Sequence, residues 1–126
     1  MADHRKDLRV AIAGLGSIGT KIAAELDRGI EGLVLSAIAA REPDKHRAFL
    51  NSLREPPSIM SIEQLAEAAD IVVECAPSHL LRNIVEPVVG RGKVAVVVSV
   101  GALLDNSDLI DLARLTVAAS SCRPVR

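Results

Sequence analysis

Six consecutive residues, Gly14-Leu15-Gly16-Ser17-Ile18-Gly19, carry the spacing best suited to chemistry in this chain. In such a loop the first glycine permits a tight turn. The second lets the backbone approach a pyrophosphate, and the third lets the next helix pack closely on the sheet. A helix starting inside the loop, at Ser17 and Ile18, would turn its positive end toward the phosphates. The glycine pattern is weak alone and gains meaning from a strand before it and a helix and second strand after it. Leu8 to Ala13 is an apolar run leading into the loop. The loop is therefore expected to hold a dinucleotide, with a packing-only turn as the bland alternative.

Three further segments stand where such a ligand would run. About 20 positions beyond the loop, an acidic residue would hold the ribose 2′-hydroxyl of NAD. Here the chain reads Ala39-Ala40-Arg41-Glu42, with Ala40 at the expected acidic position. No carboxylate at Ala40 repels a 2′-phosphate, and Arg41 could pair with one or lie on the adenine. NADP, or use of both cofactors, is favoured over NAD. In the opposing reading Arg41 is solvated and Glu42 serves NAD. Farther on, Glu74-Cys75-Ala76-Pro77-Ser78-His79 ends another apolar run, and Ala76 and Pro77 are expected to line the cofactor. Cys75 has no base placed beside it by spacing and reads as a small core residue. His79 reads as a solvent-facing first-turn residue, and Glu74 has no assigned role. Ser99-Val100-Gly101-Ala102 ends a last apolar run, and Ser99 and Gly101 are the final candidate contacts, with a plain helix-start loop as the alternative.

The elements positioning these residues alternate. Strands are expected at Leu8–Ala13, Leu33–Ala39, Ser58–Met60, Asp70–Ala76 and Lys93–Val100. Helices are expected at Ser17–Arg28, Pro43 to about Arg54, Ser61 to about Ala69, from Ser78 through Val88, and at Asp105–Arg114, from apolar spacing and capping residues. Alternation of this kind indicates an α/β, Rossmann-type doubly wound parallel sheet. The strand order 3-2-1-4-5 puts the ligand crevice beside strands one and four.

Composition narrows the function classes. Among 126 residues Phe49 is the only aromatic, so stacking platforms for single-stranded nucleic acid are missing. A formal net charge of −1 gives no long-range attraction to nucleic acid or anionic membrane. No apolar run reaches the roughly 20 residues of a membrane span, and the polar start MADHRKD is unlike a signal peptide. Cys75 and Cys122 lie far apart, so no metal site is expected and reduced thiols in a cytoplasmic protein are the simpler reading.

Taken together, Gly14–Gly19, the segment from Asp70 to Pro77, and Ser99-Val100-Gly101-Ala102-Leu103-Leu104-Asp105 resemble the N-terminal half of L-aspartate dehydrogenase. The resemblance runs from about Leu8 to Arg114. It implies NAD(P)-dependent oxidation of L-aspartate to iminoaspartate, a step that can feed NAD biosynthesis. It also implies a second domain holding the substrate pocket, the catalytic histidine and much of a dimer interface, so no catalytic residue is expected here. Two other readings are a homoserine dehydrogenase or imine reductase cofactor domain, and a stand-alone regulatory nucleotide-binding module. The latter usually keeps an acidic residue after strand two and completes its sheet.

The tail departs from the family pattern. Residues 115–126 can be written in codons such that one added A after the Leu115 codon yields Leu-Asn-Gly-Gly-Arg-Ile-Ile-Val-Pro-Thr-Gly-Ala. That is a turn, a buried strand and a ligand loop, matching an otherwise missing sixth strand. The expectation is a dinucleotide-binding domain over residues 1–114 and an aberrant, out-of-frame tail over 115–126. The sheet would then be incomplete, without its sixth strand or second domain. Strand five would be left as an edge open to pairing with another chain.

Overall fold

A computed structural model describes residues 7–76, 78–98 and 108–112. Five strands, β1 (Leu8–Ala13), β2 (Leu33–Ala39), β3 (Ser58–Ile59), β4 (Ile71–Glu74) and β5 (Val94–Val97), form one sheet in the order β3-β2-β1-β4-β5. All pairings are parallel, as expected from the alternation. The helices are α1 (Ser17–Arg28), α2 (Arg47–Ser52), α3 (Ile62–Ala68) and α4 (Leu81–Gly90), and residues 108–112 are also helical.

Helices cover both faces, because parallel strands bury apolar side chains on each side. On one face Val10, Ile12, Leu35, Ile38 and Val73 pack against Ala23 and Leu26 of α1 and the α2 segment around Phe49 and Leu53. On the other, Ala11, Ala13, Ala37, Ala39 and Val72 meet Leu65 and Ala66 of α3 and Ile84 and Val88 of α4. Alanines dominate this second interface, so the α3 backbone can lie close to the sheet. A third cluster joins the outer side of α4 (Leu81, Val85, Val89) to Leu109, over Ala95 and Val97 of β5.

One feature of β2 is invisible in its sequence. Val10 aligns with Leu35 but Ala11 with Ala37, leaving Ser36 as an extra residue. Its hydroxyl donates to the Val10 carbonyl at 3.2 Å. The bulge reverses the inward alternation, so Leu35 and Ala37 lie on opposite faces although two residues apart.

Several boundaries differ from expectation. The helix expected at Pro43 opens as a 3₁₀ turn over Pro43–His46 before α2. Ser78 does not cap an α-helix, since a 3₁₀ turn over Ser78–Leu80 precedes α4. Pro87 sits inside α4 without ending it. Gly29 does close α1, its N–H reaching the carbonyls of Glu25 and Leu26 at 3.2 Å each. The segment after β5 containing Ser99 and Gly101, and the tail from Ala113 to Arg126, lie outside the described residues, as does Pro77.

Candidate dinucleotide site

The three loop glycines have separate steric reasons. Gly14 adopts φ +103°, a left-handed conformation that favours glycine, and a Cβ there would stand 2.6 Å from the Cys75 carbonyl oxygen. Its N–H donates to Ala39 at 2.8 Å, and the Cys75 N–H donates to Ala13 at 2.8 Å. The loop is thereby tied to the ends of β2 and β4. Gly19 is buried at the second residue after Ser17, and a Cβ on it would overlap the Gly14 carbonyl oxygen. The sequence reading placed Gly19 against the sheet. The neighbours of that Cβ are the Gly14 carbonyl and, at 3.5 Å, the Cys75 side chain at the end of β4, so this glycine lets the helix close on both the loop and the sheet end.

Gly16 is the opposite case. Its backbone is ordinary (φ −87°), and no described residue lies within 4 Å of an added Cβ. No requirement of the fold explains glycine here. Open space over a helix start is what a pyrophosphate needs. Gly16 is the N-cap of α1, a twelve-residue helix with no acidic residue in its first turn to compete with an anion. Ser17 and Ile18 are both exposed there, Ile18 at 48%. Thr20 turns its hydroxyl back onto the Gly16 and Ser17 carbonyls at 2.9 and 3.1 Å, holding the first turn.

Beside the loop lies a cavity of about 330 Å³ bounded by four strand ends. Gly14 forms its floor edge, with Ala39, Ala40 and Arg41 after β2, Met60, Ser61 and Ile62 between β3 and α3, and Ala76, His79 and Leu80 after β4. Ligand pockets begin at about this size. Among the sequence candidates, Gly14, Ala40, Arg41 and Ala76 meet at this one cavity, and Gly16, Ser17, Ile18 and Gly19 form the adjoining helix start. His79, read from sequence as a solvent-facing residue, is exposed but also lines the cavity. Only the crossover from β4 brings it there, and no local pattern could have announced it.

Acidic groups near the site are turned elsewhere. Glu42 pairs with Lys45 at 3.2 Å and does not line the cavity. Glu74 is fully buried, and its Oε1 accepts the Val98 N–H at 3.1 Å, bracing the ends of β4 and β5. Burial and the neighbouring Glu74 charge push the Cys75 thiol up from its ordinary pKa. A thiol held protonated is a poor nucleophile, in line with the core reading. Among the described residues no group of three His, Cys, Asp or Glu side chains could hold a metal ion. Nor is any described helix long and apolar enough to cross a membrane.

A parallel sheet with a glycine cradle at its switch point and a cavity beside the end of β2 defines a dinucleotide-binding domain of the dehydrogenase type. The family described as the homoserine dehydrogenase NAD-binding domain matches residues 14–121, and the chain belongs to that family. L-aspartate dehydrogenase of Bradyrhizobium diazoefficiens is 75% identical over 108 residues, covering 86% of this chain and 38% of that protein. L-aspartate dehydrogenase 3 of Bordetella bronchiseptica is 46% identical over 106 residues, covering 83% of this chain and 39% of its own length. The chain thus spans well under half of these relatives. Among solved structures, a homoserine dehydrogenase from Thiobacillus denitrificans superposes with a TM-score of 0.73 at 23% identity, over 88% of this chain and 28% of that one. That likeness supports the fold.

Proposed function

We propose that this chain is the cofactor-binding half of an L-aspartate dehydrogenase that prefers NADP or uses both cofactors. The 75% identity to an L-aspartate dehydrogenase carries the assignment of the reaction. Held at the loop by its pyrophosphate, the dinucleotide would supply the hydride acceptor for oxidation of the amine-bearing carbon of L-aspartate, with one proton released to solvent. This chain's own part is to bind and orient: Gly16 leaves room for the pyrophosphate, the α1 terminus faces it, and Ala40 and Arg41 flank the adenine ribose. Ala76, with Pro77, Ser99 and Gly101, is assigned to cofactor binding on the strand-end argument. No catalytic residue is assigned within the chain. The cofactor preference is supported by the exposed Arg41 and by Glu42 being turned onto Lys45.

Cytoplasmic location fits the free thiol of Cys75, and a place in NAD biosynthesis fits the product. The division at residue 114, with an out-of-frame tail after it, rests on the codon argument, and sequencing the gene across those codons tests it. Exposed Val94 and Val96 on β5 support self-association of the chain.

Titration by nicotinamide fluorescence tests the binding reading without interference, since the chain has no Trp or Tyr. NADPH is expected to bind at least as tightly as NADH, and Arg41→Ala to weaken NADPH more. A preference for NADH unchanged by the mutation overturns the cofactor assignment. Aspartate-dependent reduction of NADP is expected when this domain is carried in a chain of the full length of its 75%-identical relative. Failure of that reduction overturns the reaction.

A further inference from the structure

The cavity beside the glycine loop is lined by two cationic or potentially cationic side chains, Arg41 from the end of β2 and His79 from the 3₁₀ turn after β4. They are separated by four elements in the chain and brought together by the β3-β2-β1-β4 order. Among the described residues no acidic side chain lines this cavity. Its one other polar side chain, Ser61, belongs to the capping box of α3, where its N–H also donates to the Gln64 side chain at 3.0 Å. Neither Arg41 nor His79 makes a side-chain hydrogen bond or ion pair with the described residues, whereas the nearby Glu42, Lys45, Arg82 and Glu86 are all paired. Among the described residues, two donors of positive or hydrogen-bonding character without partners therefore line one space that receives no counter-charge.

We propose that His79 is a specificity-determining residue, which acts with Arg41 in binding the 2′-phosphate of an adenosine 2′-phosphate moiety. The end of β2 is where the 2′-position of the adenine ribose lies in this fold, so an anion bound by Arg41 sits in the cavity that His79 also lines. Arginine offers a planar fork of donors. The imidazole offers an N–H, and a full charge when protonated. The inference rests on the dinucleotide reading and extends it, since Arg41 alone would make the preference a property of one strand end.

The test uses the full 126-residue chain and measures dissociation constants for NADPH and NADH by nicotinamide fluorescence, in the wild type and in Arg41→Ala, His79→Ala and His79→Arg. His79→Ala is expected to weaken NADPH about tenfold, the scale of one lost charge-assisted hydrogen bond, and to leave NADH within about twofold. His79→Arg is expected to keep the preference. Equal weakening of both cofactors by His79→Ala would mean that the ring contacts the shared adenine, and it overturns the proposal. An unchanged NADPH affinity overturns it too, while selective weakening by Arg41→Ala would leave the NADP reading standing. If the wild type prefers NADH, or binds neither cofactor, the cofactor reading falls and this inference falls with it.

Discussion

At the amino-terminal ends of the strands, side chains stitch neighbouring elements together. Asp70, just before β4, accepts the Arg9 backbone N–H at 2.8 Å and pairs with its guanidinium at 3.3 Å. Lys93, just before β5, donates to the Ala66 carbonyl of α3 at 2.6 Å. Asp27 near the end of α1 accepts N–H groups of Arg54 and Glu55 beyond α2 at 2.8 and 3.1 Å. At the carboxyl-terminal ends the arrangement differs. Gly16 faces open space, and Arg41 and His79 line a cavity without partners among the described residues. The stitching groups at one end are all engaged within the fold, whereas at the other Glu74 and Ser61 are engaged but Arg41 and His79 are not, among the described residues. The same division separates the loop glycines, since Gly14 and Gly19 are sterically required and Gly16 is not.

Gly19→Ala should break the structural half of that comparison most severely. The new methyl would overlap the Gly14 carbonyl, which is backbone and cannot swing aside. Overpacking of this kind is expected to cost about 3 kcal/mol or more, a large part of a small domain's stability. Urea denaturation measures it, and a midpoint equal to wild type would show that the loop relaxes freely.

Gly16→Val should separate binding from folding. Open space lies around its Cβ position, and its φ suits any residue, so the denaturation midpoint is expected to hold. Cofactor affinity should fall by about 100-fold, near 2.7 kcal/mol, because the side chain fills the pyrophosphate's approach. Wild-type affinity in a folded variant would remove the loop from the site.

A smaller effect is expected at the stitched end. The Arg9 N–H and guanidinium hold the Asp70 carboxyl below the usual carboxylate range, and the Arg54 and Glu55 N–H groups do the same for Asp27. A carboxyl with a depressed folded pKa adds stability that is fully present above its unfolded value, near pH 4. That stability is lost as pH falls through the folded value. Stability should therefore decline on the acid side, below about pH 4, and Asp70→Asn should flatten part of that decline. The same change should lower stability at neutral pH by about 1 kcal/mol or less, because the pair is partly exposed. Denaturant midpoints across the acid range measure both, and identical pH profiles for the two proteins would remove Asp70 from this role.

Much of the molecule was legible from local patterns. The glycine spacing, the apolar runs and Gly29 as a helix stop each act within a few residues, and each appears where expected. Strand order followed as well, because right-handed crossovers leave few ways to arrange alternating strands and helices. The near absence of an acidic residue at the end of β2, read as Ala40-Arg41, needed no structure either. Three things were decided only by tertiary structure. The bulge at Ser36 sets which face each residue of β2 takes, and an all-apolar run holds no alternation from which to read it. Glu74 looked misplaced in an apolar strand until the adjacent strand supplied the Val98 N–H that its carboxylate accepts. His79 carried no signal in its own segment, since the cavity it lines is shared with residues that follow β2 and precede α3. Backbone conformation and periodic burial are fixed by residues close in the chain, whereas partners for a charge arrive through crossovers that no local pattern records.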